Sequence, residues 1–487
     1  MSSICSKDTG EQHKWGIAFG QLSQQQQSLE SKSTVNLEGF PYNISPVKVF
    51  EKIEKTCEYA YLLESVEGPE KLAKFSFIGF NPYLLVTIKD GKAKTIDLMS
   101  GKEESRELQD PLEIIKREVQ SRRTLFDHFR LVGGAVGYIS YDAVRYFERL
   151  PDKAIDDLEY PDIEMALFDD GIVFDHINRE AYYYCQSENR LEEVETKIRE
   201  DAVEHEPLKY TTPTPSPEKE DFQRSVLRAK EYISSGDIFQ AVLSKHYSFD
   251  LKGSLLPFYQ GLRSINPSPY MYFLKMGERQ IVGSSPEMLV RAEQDIVETY
   301  PIAGTRPRTD DPLKNQALAQ ELLSDPKERA EHVMLVDLAR NDIGRIAEFS
   351  SVQIPEFMTV HQYSHVQHIV SRVTGKMRLD KDCFDVLKAM LPAGTVSGTP
   401  KVRAMEIIDE LEPTRRGPYA GAVGYFAYNG NADFAITIRT LTANREKACI
   451  QVGAGIVADS DPEKEWHETE QKAEALMKAL AQAGEEM

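Results

Sequence analysis

The chain has 487 residues, of which 41% are hydrophobic and 28% are charged, a balance typical of a soluble globular enzyme and not of a fibrous or wholly disordered chain. It carries 58 Lys and Arg against 78 Asp and Glu, so its formal net charge is −20. This charge disfavours a nucleic-acid partner, because binding to a phosphate backbone requires a basic surface. An anionic substrate would need local cations or a bound metal.

The cysteine pattern and the hydropathy indicate a cytoplasmic protein. The five cysteines are far apart and form no CxxC pair, so the sequence favours neither a disulfide framework nor a structural zinc site. No apolar run approaches the roughly 20 residues that a membrane helix needs, and we expect no membrane association. The N-terminus lacks the charged-then-apolar order of a secretory signal.

Composition divides the chain into four regions. Residues 1–35 are polar and rich in Gln and Ser, which predicts a flexible leader. Residues 36–205 alternate short β-rich runs with helical patterns, as expected of an α+β region. The segment 206–218 contains four prolines and is predicted to be a linker without regular structure. Residues 219–487 begin with an amphipathic helix over 219–235 and then mix strands and helices.

A short internal similarity lies in the segments 134–141 and 421–428, which agree at six of eight positions. Both segments contain the sequence Gly-Ala-Val-Gly-Tyr. They predict two strands whose glycines allow a neighbouring backbone to approach closely.

An acidic pattern occurs twice, each time after an Asp-Pro pair that predicts the N-cap and first residue of a helix. The Glu-x-x-Glu spacing places two carboxylates on one helix face, so two such helices could direct four carboxylates into one cavity. Oxygen ligands of this kind suit a hard cation such as Mg²⁺. The four residues are Glu328, Glu331, Glu465 and Glu468.

A solvated helix start is the alternative interpretation of each acidic pair. Glu328 occupies the third helical position after Asp325, where a capping-box glutamate belongs and where the helix dipole favours an anion. The repetition of the pattern favours a metal.

Three histidines, His361, His365 and His368, are spaced as zinc ligands would be on a helix. The β-branched residues around them predict a strand instead, in which His365 and His368 point to opposite faces. This disfavours zinc. A single buried histidine could be a core residue or an acid/base group.

Three glycine-bearing segments, 301–308, 392–401 and 452–455, would allow a ligand to approach the backbone closely. In the second, Thr399 and Pro400 are predicted to cap and begin a helix that ends at Leu411. The spacing does not match a nucleotide-binding P-loop, and ordinary turns and sheet architecture are the alternative.

Taken in order, these segments resemble the chorismate-utilising enzymes, in particular anthranilate synthase component I. The motifs that carry the resemblance are 283–287, 301–308, 331–342, 394–401, 421–425 and 465–472. They span about residues 220–480, and the N-terminal half matches more loosely through 62–65. The resemblance implies an α+β fold with two large antiparallel sheets packed face to face, helices outside and the active site between the sheets.

The resemblance also implies site residues. It assigns Mg²⁺ to Glu331 and Glu468, with Glu328 and Glu465 beside them, and it makes Glu287 and His368 the candidate acid/base groups. The implied chorismate-binding residues are Gly304, Thr305, Thr395, Tyr425, Arg439, Gly453, Gly455 and Lys472. The implied reaction adds ammonia to the ring, expels the 4-hydroxyl and then eliminates pyruvate to give anthranilate.

Two positions distinguish relatives within this resemblance. Aminodeoxychorismate synthases, the nearest alternative, carry Lys where this chain has Ala303, so a lysine-dependent covalent route is absent. Water-using isochorismate and salicylate synthases place Lys where this chain has Gln240, which cannot deprotonate water. From another class, a tryptophan-binding regulatory subunit without turnover would not need the four carboxylates, His368, Arg439 and Lys472.

The resemblance further implies a partner and an inhibitor. No cysteine lies in a nucleophile-elbow context, so glutamine-derived ammonia would have to come from a separate glutamine amidotransferase subunit in a hetero-oligomer. Tryptophan is implied as a feedback inhibitor, bound at Leu63, Glu64, Ser65, Pro269, Tyr270 and Met271.

Overall fold

The computed structural model describes residues 34–66, 74–200, 205–363 and 366–487. Residues 1–33 of the predicted leader and His365 lie outside the described residues. The strands are β1 (Asn36–Phe40), β2 (Tyr59–Glu64), β3 (Phe75–Phe80), β4 (Leu84–Lys89), β5 (Lys92–Asp97), β6 (Glu103–Glu107), β7 (Gly134–Ile139), β8 (Ile163–Phe168), β9 (Asp170–Asp175), β10 (Glu180–Cys185), β11 (Leu208–Tyr210), β12 (Thr214–Ser216), β13 (Gln240–Lys252), β14 (Tyr270–Met276), β15 (Arg279–Ser285), β16 (Met288–Glu293), β17 (Ile296–Thr299), β18 (Ile302–Pro307), β19 (Gln353–Gln362), β20 (Val366–Lys376), β21 (Gly398–Thr399), β22 (Ala422–Ala427), β23 (Ala432–Ile436), β24 (Thr440–Asn444), β25 (Lys447–Ile456) and β26 (Gly484–Glu486).

The α-helices are α1 (Pro46–Thr56), α2 (Glu113–Ser121), α3 (Leu191–Arg199), α4 (Lys219–Ser234), α5 (Leu256–Ile265), α6 (Pro312–Ser324), α7 (Pro326–Gly344), α8 (Cys383–Met390), α9 (Lys401–Leu411) and α10 (Pro462–Ala483). Short 3₁₀-helices lie at Tyr141–Tyr146 and Gly394–Val396. Among the described helices, none combines the length and the apolar character needed to cross a membrane.

The strands form two large sheets. The larger has the order β1-β10-β9-β3-β2-β14-β15-β24-β25-β13-β11-β26, and β12 and β21 also pair with β13. The smaller has the order β18-β20-β17-β16-β23-β22-β7-β8-β4-β5-β6, and β19 also pairs with β20. Neighbouring strands run antiparallel, as between β7 and β22, whereas β11 and β26 are parallel. Antiparallel order is compatible with the short connections between many of these strands.

The prediction that 206–218 lacks regular structure is wrong, because β11 and β12 lie within this segment. Both strands pair with β13. Pro215 is tolerated in β12 because that strand is short and pairs on one side, where a missing backbone N–H costs little. Each sheet also contains strands from both 36–205 and 219–487, so the two predicted regions share their sheets.

The two sheets pack face to face over a layer of buried side chains. Val136 and Tyr138 of β7 point into this layer, where they meet aromatic residues of the larger sheet such as Tyr61 and Tyr272. The alternate residues of β7 pack against α2, α7 and α8 on the outer face. The outer face of the larger sheet is covered by α1, α3, α5 and α10. This arrangement confirms the α+β fold with helices outside.

The two Gly-Ala-Val-Gly-Tyr segments are adjacent strands. Gly137 of β7 lies directly opposite Gly424 of β22. A Cβ on Gly137 would lie 2.0 Å from the carbonyl oxygen of Glu164, and one on Gly424 would lie 2.0 Å from that of Asp433. The prediction that these glycines permit close backbone approach is confirmed.

Substitution of Gly137 by Ala is expected to lower the free energy of unfolding by about 2–3 kcal/mol, since the neighbouring strand must move to admit the methyl group. Gly39→Ala is the control, because a Cβ there meets nothing within 4 Å. Urea unfolding of both variants measures the difference. Equal stabilities would contradict the close approach.

Candidate active site

Two helices carry the acidic pattern, and both begin as predicted. The carboxylate of Asp325 accepts hydrogen bonds from the backbone N–H of Lys327 at 2.9 Å and of Glu328 at 3.4 Å at the start of α7. Asp461 caps α10 in the same way, with N···O distances of 3.1 and 3.0 Å. The following proline fits the first helical turn, where its missing N–H is not needed.

The carboxylates of α7 and α10 lie near enough for their charges to interact. Burial raises the pKa of Glu331, and the charges of Glu328 and Glu468 raise it further. Burial also raises the pKa of Glu465, with an additional contribution from Glu468. The effect of Glu468 on Glu331 is a repulsion between a carboxylate of α10 and one of α7. Protonation, a cation or both must relieve the repulsion among these groups.

The acidic site fits a hard cation that uses few protein ligands. In the part of the chain that the structure describes, no group of three or more His, Cys, Asp and Glu converges closely enough to hold a metal ion unaided. Mg²⁺ is commonly bound through one or two carboxylates, with water and substrate oxygens completing its shell. Glu331 and Glu468 are suitable carboxylates, whereas Glu328 also accepts a hydrogen bond from Arg306 at 3.2 Å.

A group of cations borders the carboxylates. The Lys472 ammonium lies 2.7 Å from the Glu468 carboxylate and donates to the carbonyl of Gly453 at 2.9 Å. Arg439 donates to the carbonyl of Lys472 at 2.9 Å. Its backbone has φ +53°, an uncommon conformation for a residue with a side chain. These contacts connect β24, β25 and α10.

His368 lies on β20 opposite Thr305 of β18, so the strand prediction is confirmed. Its Nδ1 is 2.8 Å from the carbonyl oxygen of Gly304, which can only accept, so this nitrogen carries the proton. Burial lowers the pKa of His368, and the nearby Arg439 charge lowers it further, against an opposing effect of the Gly304 carbonyl. A neutral ring protonated at Nδ1 leaves Nε2 as a proton acceptor.

Gly304 brings the β18 strand close to α7. It has φ +65° and interrupts the pairing of β18 with β20 as a bulge. A Cβ at this position would lie 2.9 Å from a carboxylate oxygen of Glu328. The absence of a side chain therefore lets the acidic helix approach the strand beside His368.

Glu287 lies where the chain passes from β15 of the larger sheet to β16 of the smaller one. Burial raises its pKa to about 7, although Thr395 and Lys472 oppose the shift. The residue lines a cavity together with Thr395, Leu338 and Asp342. A carboxyl group with this pKa can both donate and accept a proton near neutral pH.

Residues 58–478 match the chorismate binding enzyme family. The chain belongs to this family. The anthranilate synthase component 1 of Methanothermobacter marburgensis is 48% identical over 442 residues, covering 91% of this chain and 94% of that protein. The crystal structure of anthranilate synthase component I from Streptococcus pneumoniae TIGR4 has a TM-score of 0.74 and 37% identity, covering 84% of this chain and 93% of that chain. The menaquinone-specific isochorismate synthase of Escherichia coli shares the fold, with a TM-score of 0.70 at 17% identity over 94% of this chain and 98% of that chain.

Tyr425, which the resemblance assigns to chorismate binding, lies apart from Arg439. Its side chain points into the layer between the sheets, where its ring centre is 6.1 Å from that of Phe77. Tyr419, six residues earlier, lies beside the site instead: its hydroxyl would be 2.7 Å from a Cβ on Gly453. Tyr425 points inward because β22 begins at Ala422, after which side chains alternate between the two faces of the strand.

Tyr419 and Gln240 lie beside Gly453 and Gly455 and form one wall of the site with them. Burial raises the pKa of Tyr419 to about 12, so its phenol stays protonated and can donate a hydrogen bond. The Gln240 amide would be 2.5 Å from a Cβ on Gly455. The sequence signal that could have identified Tyr419 is its position two residues before the motif 421–425.

The helix after Thr399 begins one residue later than predicted. Thr399 pairs with Gln240 as part of β21, so it belongs to the sheet. Pro400 is the N-cap residue, and α9 begins at Lys401. The pairing with β13 brings Gly398 and Thr399 next to the wall that contains Gln240.

Five of the six residues predicted to bind tryptophan line a second cavity. It is lined by Leu63, Glu64, Ser65, Tyr270 and Met271, together with Phe75, Phe77, Arg130 and Tyr425. Pro269 is not among the lining residues. The carboxylate of Glu64 is 4% exposed and accepts hydrogen bonds from Tyr259 at 2.5 Å and Arg263 at 3.1 Å.

Glu287→Gln is expected to change the pH dependence of stability. The unfolded carboxyl has a pKa of roughly 4.3, so between that value and 7 the folded protein holds a proton that the unfolded chain releases. Wild-type stability therefore falls as pH rises through this window, and the variant should gain roughly 2 kcal/mol relative to wild type between pH 5 and 8.

Urea unfolding at several pH values measures this difference. Glu446→Gln, at an exposed position, controls for the loss of one negative charge. Parallel stability curves for wild type and Glu287→Gln would show that Glu287 does not titrate near neutrality.

Proposed function

We propose that this chain is a magnesium-dependent lyase that converts chorismate and ammonia to anthranilate and pyruvate, the first committed step of tryptophan biosynthesis. The observation that carries the proposal is that the charges of Glu331 and Glu468 act on each other beside Lys472 and Arg439, with Glu287 near Lys472. This arrangement combines a cation site, anion-binding groups and an acid/base group. The similarity to proteins named anthranilate synthase component 1 supports it.

The charge distribution accounts for the binding of a dianion by an acidic protein. One chorismate carboxylate would approach the acidic helices through Mg²⁺ held by Glu331 and Glu468, since four carboxylates alone would repel it. The bound ion supplies a template and Lewis-acid stabilisation of negative charge on the substrate. Arg439 and the Tyr419 hydroxyl would hold the second carboxylate by charge-assisted hydrogen bonds.

The two acid/base groups suit the two stages of the reaction. Glu287, with a pKa of about 7, can protonate the departing 4-hydroxyl as ammonia adds to the ring. His368 is neutral and presents Nε2 as an acceptor. It would take up the ring proton when the enolpyruvyl group leaves as pyruvate, which generates the aromatic product.

Ammonia is the nucleophile that the surroundings favour. Gln240 lies at the wall of the site and cannot deprotonate water. Cys57, Cys185, Cys383 and Cys449 are all buried, and Cys5 lies outside the described residues. A separate glutamine amidotransferase subunit in a hetero-oligomer would therefore release ammonia from glutamine.

Tryptophan is the proposed inhibitor, bound in the second cavity. The aromatic walls formed by Phe75, Phe77 and Tyr425 suit an indole ring. Glu64 and Arg130, which also line the cavity, have charges opposite to those of the amino and carboxylate groups of an amino acid. The cavity shares no lining residue with the one that contains Glu287, which agrees with inhibition from a distance.

The first test measures anthranilate fluorescence from purified chain, chorismate, Mg²⁺ and ammonium at alkaline pH. Metal-dependent anthranilate is expected, with activity lost in EDTA and restored by added Mg²⁺. Glu468→Gln should reduce kcat/KM at least about 100-fold, because it removes a charged ligand that the transition state requires, while tryptophan binding measured by calorimetry is retained.

Product analysis separates the alternatives. Chorismate consumption with an aminodeoxychorismate or isochorismate product would contradict the lyase and point to those relatives. Tryptophan binding without chorismate consumption would instead identify a regulatory subunit.

Tyr419→Phe and Tyr425→Phe are expected to have different effects, because Tyr419 lies beside Gly453 whereas Tyr425 lines the second cavity. The first should raise the KM for chorismate about tenfold by removing a hydrogen bond to a carboxylate. The second should leave that KM unchanged and weaken inhibition by tryptophan. Steady-state kinetics with and without tryptophan measures both. An increased KM in Tyr425→Phe alone would restore the assignment of Tyr425 to chorismate.

A further inference from the structure

Arg416 is a fully buried cation beside the candidate active site. Only 1% of the residue is exposed, and it lies between α9 and β22. A guanidinium in the protein interior costs several kcal/mol in lost hydration unless its donors are satisfied. Its contacts therefore show what it stabilises.

The guanidinium binds three separate segments of the chain. Nε and Nη2 donate to the carboxylate of Glu412 at 2.8 and 2.6 Å. Nη1 donates to the carbonyl of Val396 at 2.7 Å, and Nη2 donates to that of Val242 at 2.6 Å. The group also lies 5.7 Å from the centre of the Tyr419 ring. This arrangement uses the planar fork of donors that distinguishes arginine from lysine.

Each of these segments adjoins a wall of the chorismate site. Val396 directly follows Thr395 in the 3₁₀-helix. In the pairing of β13 with β25, Val242 is opposite Gly455 and Ser244 is opposite Gly453.

Glu412 extends the connection to the second of these glycines. Its carboxylate accepts hydrogen bonds from the backbone N–H of Ser244 at 2.7 Å and from the Ser244 hydroxyl at 2.9 Å. The Arg416–Glu412 pair thus binds both β13 positions that face the glycines.

We propose that Arg416 is a positioning residue for the substrate-binding wall formed by Thr395, Tyr419, Gly453 and Gly455. It acts through the carbonyls of Val396 and Val242 and through Glu412. Arg416 donates no hydrogen bond to Glu287 or His368 themselves, so we expect it to affect mainly how tightly substrate is bound. The inference rests on the proposed function, since chorismate is the ligand for which this wall is positioned.

Arg416→Lys tests the proposal in the full chain. Lysine keeps the positive charge but carries three donors on a single nitrogen, so it cannot replace the four hydrogen bonds that the planar guanidinium makes to Glu412 and the two carbonyls. The KM for chorismate should therefore rise about tenfold or more, while kcat changes by less than about threefold. Such a split is characteristic of lost binding that is equal in the ground state and the transition state.

Arg190→Lys is the matched control. Arg190 also forms a forked contact with a buried carboxylate, Asp170, and donates to the carbonyl of Phe80 at 3.2 Å. It lies beside β9 and α3, at the other end of the larger sheet from β13 and β25. Arg190→Lys should lower stability and leave the KM for chorismate within about twofold of wild type.

The proposal is overturned if the KM of Arg416→Lys stays within about twofold of wild type, or if Arg190→Lys raises it equally. If Arg416→Lys does not fold, Ser244→Ala decides, since it removes the hydroxyl that joins Glu412 to the strand opposite Gly453. An increase in KM of about threefold supports the proposal and an unchanged KM overturns it. The assay of wild type distinguishes a failure of the proposed function from a failure of this inference. If wild type makes no anthranilate, the proposed function is contradicted. If wild type is active and the KM of the variant is unchanged, only the inference about Arg416 is contradicted.

Discussion

The repulsion among the carboxylates of α7 and α10 is the constraint on which the rest of the site depends. Helices that begin with Asp-Pro caps place Glu331 and Glu468 where their charges repel each other, in a chain of net charge −20. Neighbouring carboxylates on two helices lower stability unless cations lie beside them. Lys472 and Arg439 provide fixed positive charge, and our proposed Mg²⁺ provides the remainder. In the proposed function, the same charges that would destabilise an empty acidic cluster make it a site for a dianionic substrate.

The packing of the two sheets brings the residues of this site together from distant parts of the chain. The smaller sheet and α7 supply His368 and Glu331, whereas the larger sheet and α10 supply Gly453 and Glu468. Glu287 lies on the connection that crosses between the sheets, where burial raises its pKa. A shift in the packing of the sheets would therefore separate the acid/base group from the acidic helices.

The buried Arg416 shows how a charge can organise a pocket without touching the ligand. Its cost of burial is offset by Glu412 and by two backbone carbonyls on different segments. Since these segments come from β13 and from the turn before α9, one side chain fixes their separation. The chorismate wall thus depends on a residue outside its own surface.

The sequence by itself determined the elements whose signals are local. The Asp-Pro caps of α7 and α10, the strand around His368 and the close approach at Gly137 and Gly424 follow from side-chain and backbone chemistry within short segments. The resemblance supplied the two-sheet fold and brought together most of the site. By contrast, only the tertiary structure placed Tyr419 beside Gly453 and Tyr425 in the second cavity. These positions depend on where β22 begins and on which face of the sheet is covered. It also decided that 206–218 contains β11 and β12, since pairing with β13 is a long-range contact that overrides the local effect of proline. The role of Arg416 has the same origin: its partners are up to 174 residues away along the chain, and no local pattern reports contacts at that separation.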